Sequence, residues 1–269
     1  MAIKDITLGQ YYPGQSPVHN LDPRTKIIGT LVYLVSIFLV KNFTGFAFSA
    51  LCLAAVILLS KIPFGYIGRG LKPVIVIIIF TMIMNLFMTP GEAIFSLWKL
   101  TITKEGVSRS FFLAIRLVLL IFCSSLLTLA TKPMSLTDGL DSLLSPLKKI
   151  GFPSHEITMM LTIAIRFIPT LMDETDKIMK AQTARGADFE SGGLKEKAKA
   201  LIPLLVPLFV SAFRIASDLA MAMEARCYRG GEGRTRMNPM RFAGRDIAAF
   251  AMMAVYFAAV IVIGKLPVF

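Results

Sequence analysis

Charge is scarce in this chain: Asp, Glu, Lys and Arg make up 17% of its 269 residues, where soluble domains carry about 25%. Cysteine and histidine are scarcer still, at three and two. Cys52 and Cys123 lie in apolar segments and Cys227 in a polar one, so no paired spacing suggests a disulfide framework. With so few soft or imidazole ligands, no metal-ligand spacing exists either. There is no G-x-x-x-x-G-K-[ST] sequence, and Gly230-Gly231-Glu232-Gly233 lacks the strand and helix that a phosphate cradle needs. These absences leave an enzyme without a catalytic constellation.

What is abundant is apolar surface. The hydrophobic set reaches 55% and the mean hydropathy is +0.68, which excludes disorder and an ordinary soluble globule. Crossing about 30 Å of hydrocarbon takes about 20 residues at 1.5 Å each. Five runs approach that length: Ile27 to Val40, Phe43 to Ser60, Pro73 to Thr89, Phe111 to Thr131 and Ile247 to Leu266. The first is short, but Asp22 and Pro23 form an N-cap and first-turn pair. That helix can therefore run from near Pro23 to near Asn42, with Arg24, Lys26 and Lys41 snorkelling toward water. The polar start of the chain and the absence of a small-residue cleavage site do not read as a secretory signal.

The expected organisation is a membrane region over 1–131 with four spans, a coupling region over 132–246, and a last span over 247–269. Lys and Arg in the short loops place the N-terminus and the 132–246 stretch in the cytoplasm of a multi-pass cell-membrane protein. The formal charge is +12, yet 132–246 holds 17 basic and 13 acidic residues. The excess is explained by anionic headgroups rather than by a nucleic acid. Arg116 is the one charge well inside a span. Without an acidic partner in another span, it is expected to snorkel or to hydrogen-bond a helix break.

Within 132–246 the periodicity predicts a short amphipathic helix from about Leu136 to Ile150 and two long helices, Ser154 to Arg185 and Leu194 to Arg226. Both long helices are apolar enough for a pure hydropathy reading to make them spans. Arg166, Arg214, Asp218 and the helix-kinking prolines argue instead for helices low in or under the bilayer. Both finish alike, at Ala184-Arg185-Gly186 and at Ala225-Arg226-Cys227, 41 positions apart. Plain C-capping explains each end singly. Repetition on consecutive helices points further, to an exposed Arg fork on a rigid tip that can enter a carboxylate-lined groove. Six methionines near these helices (Met159, Met160, Met172, Met179, Met221 and Met223) read first as core filling, and second as a soft surface for interchangeable partners.

These paired tips resemble the Ala-Arg-Gly signatures of the transmembrane T component of energy-coupling factor transporters. The stretches Ser16 to Lys26 (SPVHNLDPRTK), Arg166 to Leu171 (RFIPTL) and Arg234 to Arg236 (RTR) resemble the same family. The resemblance implies an all-α integral membrane protein with about five transmembrane helices, two long cytoplasmic coupling helices and a short amphipathic helix. It implies a non-catalytic scaffold that binds no cofactor itself, with ATP used by partner subunits. Ala184, Arg185, Gly186, Ala225 and Arg226 would bind two cytoplasmic ATPases, and Arg166, Pro169, Pro203 and Pro207 would shape the coupling helices. A separate membrane-embedded substrate-binding component would carry a vitamin or metal ion. Cys227 stands where the family has Gly. Because Cys is poor at positive φ, the glycines at 230, 231 and 233 are expected to take over that turn. A stand-alone channel or secondary carrier is the alternative.

Overall fold

The computed structural model describes residues 11–40, 42–97, 100–151, 153–187, 189, 193–230 and 240–264. Lys41, Gly231, Gly233 and the Arg234 to Arg236 stretch lie outside them. The chain divides into two compact units, Gly9–Leu143 with Pro239–Phe269, and Met1–Leu8 with Leu144–Asn238.

The first unit is a helical bundle of α1 (Pro23–Leu39), α2 (Phe43–Ser60), the short α3 (Phe64–Arg69), α4 (Ile75–Met88), α5 (Lys104–Ala130), α6 (Pro133–Leu144) and α9 (Gly244–Gly264). A two-stranded antiparallel hairpin, β1 (Ala93–Leu97) and β2 (Leu100–Thr103), joins α4 to α5. α5 is the central post, packed against α1, α2, α3 and α4, while α9 lies against α1 and α2. Helices α2, α5 and α9 are long and apolar enough to cross a membrane, and α4 is a shorter apolar helix. The outer face of α4, with Val76, Ile77 and Phe80 more than half exposed, has the apolar surface that a helix turns toward lipid.

Inside the bundle, Ile37, Phe46, Leu129 and Val260 are almost fully buried. Hydroxyls join α1, α2 and α9 there. The Tyr33 hydroxyl donates to the Ser49 carbonyl at 3.1 Å. The Tyr256 hydroxyl lies 2.8 Å from Ser36 Oγ and 3.2 Å from Ser49 Oγ, with its ring stacked on Tyr33 and Phe48. In hydrocarbon each such group must find a partner within the protein, although the net gain per bond averages only about 0.6 kcal/mol. Tyr256→Phe keeps the stacking and removes the bonds, so it should lower the detergent unfolding midpoint by the equivalent of about 0.6–1.5 kcal/mol. A midpoint unchanged from wild type would show that the hydroxyl contributes nothing.

Arg116 takes the helix-break option. Its guanidinium donates to the Val40 carbonyl at 3.1 Å, where α1 ends, and sits 5.7 Å from the Phe38 ring centroid and 5.6 Å from that of Phe46. α5 begins at Lys104, seven residues ahead of the apolar run, because the Thr103 side chain accepts from the Gly106 N–H at 3.0 Å and Glu105 occupies the first turn. At this crossing a Cβ on Gly106 would stand 3.0 Å from the Leu86 carbonyl oxygen, so only glycine lets α4 and α5 approach so closely.

The second unit contains a 3-10 turn (Ser145–Ile150), α7 (Ser154–Ala184) and α8 (Leu194–Ala225). α7 and α8 pack on each other. Ile163, Phe167 and Leu171 of α7, spaced four apart, line a groove with Ala212, Ala216 and Ala220 of α8, likewise spaced four apart. This is the i, i+4 stripe that puts side chains on one helix face, and its small residues let the backbones approach. Towards the other end of the pair, Met159 and Ile163 share a second groove with Leu219, Met223 and Arg226. Rising numbers on α7 thus meet falling numbers on α8, and the pair is antiparallel.

Candidate functional site

The two Arg-bearing helix ends are built by the same hydrogen bonds. At the end of α7 the Gly186 N–H donates to the Thr183 carbonyl and the Ala187 N–H reaches back to the Gln182 carbonyl, both at 3.0 Å. At the end of α8 the Cys227 N–H donates to Glu224 O at 2.9 Å and the Tyr228 N–H to Met223 O at 3.0 Å. Each partner in the second set lies 41 positions after its counterpart in the first. This reciprocal pair is the Schellman closure, which needs a left-handed residue just past the helix. Gly186 has φ +90° and Cys227 φ +55°. The expectation that the later glycines would relieve Cys227 is therefore corrected. Gly230 is left-handed as well, at φ +85°, but it shapes the chain beyond the tip. Two orphan carbonyls at the end of α8 hold Cys227 in a conformation its Cβ disfavours.

Ala184, Arg185 and Gly186 are exposed, as are Ala225 and Arg226. Neither guanidinium has an ion-pair partner among the described residues. The two tips stand at opposite ends of the helix pair. Arg226 shares its groove with Met159, and from Met159 to Arg185 α7 extends on the order of 39 Å at 1.5 Å per residue. The chain leaving α8 is tied back to α7 where the Tyr228 hydroxyl donates to Met159 Sδ at 2.9 Å.

The shaping residues fall inside the helices. Arg166 and Pro169 are exposed on α7, and Pro203 and Pro207 lie within α8. Each proline removes one helical N–H, freeing the carbonyls of Ile165, Lys199 and Pro203. Of the two helices that a pure hydropathy reading could make spans, α8 is long and apolar enough to cross a membrane over Lys199–Ala225. Ile202, Val206, Phe209 and Phe213 along it are each more than half exposed. Arg214 and Asp218 are also exposed, one turn apart.

A cluster at one end of the bundle unit was not legible beforehand. Asp22 caps α1 as expected, accepting from the Arg24 N–H at 2.9 Å. Arg24 and Lys26, however, do not snorkel. The Arg24 guanidinium donates to the Met240 carbonyl at 2.9 Å, stands 3.4 Å from the Asp22 carboxylate and lies over the Phe242 ring. Lys26 Nζ donates to the carbonyls of His19 and Ala130, at 2.9 and 3.0 Å. Asp246, 2% exposed, accepts from the Asp22 N–H, the Thr25 hydroxyl and the Ala243 N–H, at 2.8, 3.1 and 2.9 Å. His19 is hydrogen-bonded within the segment that leads into α1. Its Nε2 donates to the Tyr12 carbonyl at 3.2 Å, which leaves Nδ1 to accept from the Ser16 hydroxyl at 2.7 Å. Burial holds its pKa below the usual value, and the nearby Lys26 ammonium adds to that, against the opposing Tyr12 hydrogen bond.

A bundle with several helices long and apolar enough to cross a membrane, together with an antiparallel helix pair bearing an exposed cation at each end, places the chain in the class of multi-pass helical membrane proteins. Residues 14–237 match the family described as CbiQ, cobalt transport protein. The chain is 56% identical over 248 residues to the energy-coupling factor transporter transmembrane protein EcfT of Thermosediminibacter oceani, covering 92% of this chain and 94% of that one. It is 57% identical over 250 residues to the protein of the same name from Clostridium kluyveri, covering 92% of each. It is 47% identical over 251 residues to that of Bacillus subtilis, covering 93% and 95%. The chain belongs to the energy-coupling factor transporter transmembrane protein family: it is a multi-pass membrane protein and a non-catalytic transporter subunit.

Proposed function

We propose that α7 and α8 are coupling helices, each delivering one arginine to one of two cytoplasmic ABC ATPases. Arg185 serves one ATPase and Arg226 the other, each framed by its neighbours Ala184 and Gly186, or Ala225. ATP is bound and hydrolysed by those partners. Closure of the ATPase pair moves α7 against α8, and their apolar faces pass the movement to a membrane-embedded component that holds the vitamin or metal ion. The N-terminus and the 132–246 region lie in the cytoplasm in this reading, with 1–131 and 247–269 in the membrane. Arg166, Pro169, Pro203 and Pro207 set the shape of the levers.

The observation that carries the reading is the pair of like-built tips at opposite ends of one antiparallel pair. A separation on the order of 39 Å is too great for a single groove and suits two neighbouring subunits. The apolar stripe of α8 and the exposed methionines, Met160 and Met221, give the partner in the membrane a soft surface to pack on.

The test is isolation in detergent of this chain with the two ATPases and the substrate-binding component, followed by reconstitution in liposomes. A stable four-part assembly that accumulates solute only with ATP is the expected result. A chain that purifies alone and moves solute without ATP would instead be a channel or secondary carrier, with α8 as an additional span.

A further inference from the structure

Three tyrosines and two cations meet at the end of the bundle unit where α2 and α5 finish. Arg69, the last residue of α3, stands over the Tyr66 ring at 4.7 Å, and Tyr66 packs on Tyr12 with ring centroids 5.3 Å apart. Next to Tyr12 in the chain, Tyr11 has Lys132 Nζ 5.8 Å from its ring centroid and meets the His19 ring edge-on at 6.1 Å. Backbone bonds hold the patch in place. The Tyr12 N–H donates to the Leu129 carbonyl at 2.9 Å, and the Tyr12 carbonyl accepts from His19 Nε2 at 3.2 Å. α3 is drawn against α5, so closely that a Cβ on Gly70 would stand 2.5 Å from Ser125 Oγ.

Position and charge say what the patch faces. α2 and α5 are both long and apolar enough to cross a membrane, and Tyr66, Arg69 and Lys132 come just after Ser60 and Ala130, where those helices end. That is the level of lipid headgroups, where an amphipathic ring is at home. Leu58, Leu59 and Phe64, just ahead of Tyr66 in the chain, are each more than half exposed and offer apolar surface to acyl chains. Arg69 and Lys132 are exposed, and neither has an ion-pair partner among the described residues. Residues 11–91 contain a single acid, Asp22, which is buried and paired with Arg24.

We infer that Arg69 and Lys132, framed by Tyr11, Tyr12 and Tyr66, form a binding site for the headgroup of an anionic phospholipid. The arginine fork suits two phosphate oxygens, and the lysine adds a second positive charge. Each cation rests on a ring face, so less side-chain freedom is lost when a headgroup arrives. A lipid satisfies both halves of the surface, the cations and the exposed leucines beside them, whereas a free phosphate satisfies only the first. The site lies wholly within the bundle unit and is independent of the coupling role proposed for α7 and α8.

The experiment gives the full chain, purified in detergent, phosphatidylglycerol or phosphatidylcholine with the same acyl chains, and counts bound lipid by native mass spectrometry. Wild type should hold phosphatidylglycerol at least about tenfold more tightly than phosphatidylcholine. Arg69→Gln and Lys132→Gln should each weaken phosphatidylglycerol binding about fivefold, and the double variant about 25-fold. Lys104→Gln removes the same charge at the other end of α5 and should change nothing. Tyr66→Leu leaves the charge alone and should cost about two- to fivefold through the loss of the ring under Arg69. Arg69→Lys should restore part of the loss. Phosphatidylcholine binding should stay at the wild-type level throughout, which shows that each variant is folded. Equal binding of the two lipids by wild type would overturn the site. So would a loss in Lys104→Gln as large as that in Arg69→Gln, which would reduce the effect to diffuse charge. Displacement of the lipid by excess inorganic phosphate would make this a phosphate site instead. Loss of the lipid when the chain is assembled with its ATPases would show that an acidic protein surface covers the patch, and would equally overturn the lipid assignment.

Discussion

Arg185→Glu and Arg226→Glu should each strip one ATPase from the complex and leave the other in place, and the double variant should lose both. Truncating or reversing one partner of a desolvated charge-assisted contact costs about 2–5 kcal/mol, or roughly 30- to 5,000-fold in Kd. Neither arginine is engaged in an ion pair among the described residues, so neither variant breaks an ion pair among them. The Schellman bonds at each tip are made by backbone groups and survive the change of side chain. Glutamate at a helix C-terminus also opposes the dipole, by about 0.3–1 kcal/mol, and Arg185→Gln and Arg226→Gln isolate the loss of the cation from that effect. Lysine at either position keeps the charge but not the planar fork and should rescue only in part. Because the sites are far apart, the two losses should add. Quantifying each ATPase on the purified chain gives the answer, and a double variant that retains both would end the coupling assignment.

How much of this was legible in the sequence depended on whether the signal was local. Phe43–Ser60 is apolar throughout and bounded on both sides, and the helix occupies that range. α7 and α8 begin and end within a residue or so of the ranges given by their 3.6-residue periodicity. Arg116 was readable because a lone cation in an apolar run has few options, and the carbonyl at the end of α1 is one of them. The start of α5 was placed late because hydropathy outweighed the Thr103 cap, a polar signal eight residues ahead of the apolar run. The hairpin between α4 and α5 carried no expectation, since strands of five and four residues give too short a pattern. The Asp246 cluster was missed for a different reason. Arg24 and Asp246 find partners more than 200 positions away, and nothing in the local pattern distinguishes a cation that snorkels from one that grips a distant carbonyl. Propensity alone also misjudged Cys227, because the hydrogen bonds closing α8 outweigh the conformational preference of one residue.

That balance at Cys227 gives the second large expectation, an asymmetry between the two tips. Gly186 occupies φ +90° with open space where a Cβ would go, so a substitution there is opposed by backbone conformation and not by a clash. A left-handed conformation costs an L-residue about 1–2 kcal/mol, and valine, branched at Cβ, is a poor occupant. Gly186→Val should therefore either fray the last turn of α7 or hold Arg185 at that cost. Binding of one ATPase should weaken by roughly 5- to 30-fold, since 1.4 kcal/mol is a factor of ten. Cys227 already bears such a penalty at φ +55°, so Cys227→Gly should relieve up to about 1 kcal/mol and leave the second ATPase held at least as firmly as in wild type. Both variants leave the arginine side chains intact, so they report on the geometry of the tip alone. Heating the purified complex and following the release of each ATPase separately tests both at once. If Gly186→Val releases its ATPase no earlier than wild type, the left-handed closure does not position Arg185, and the fork reaches its groove by side-chain freedom alone.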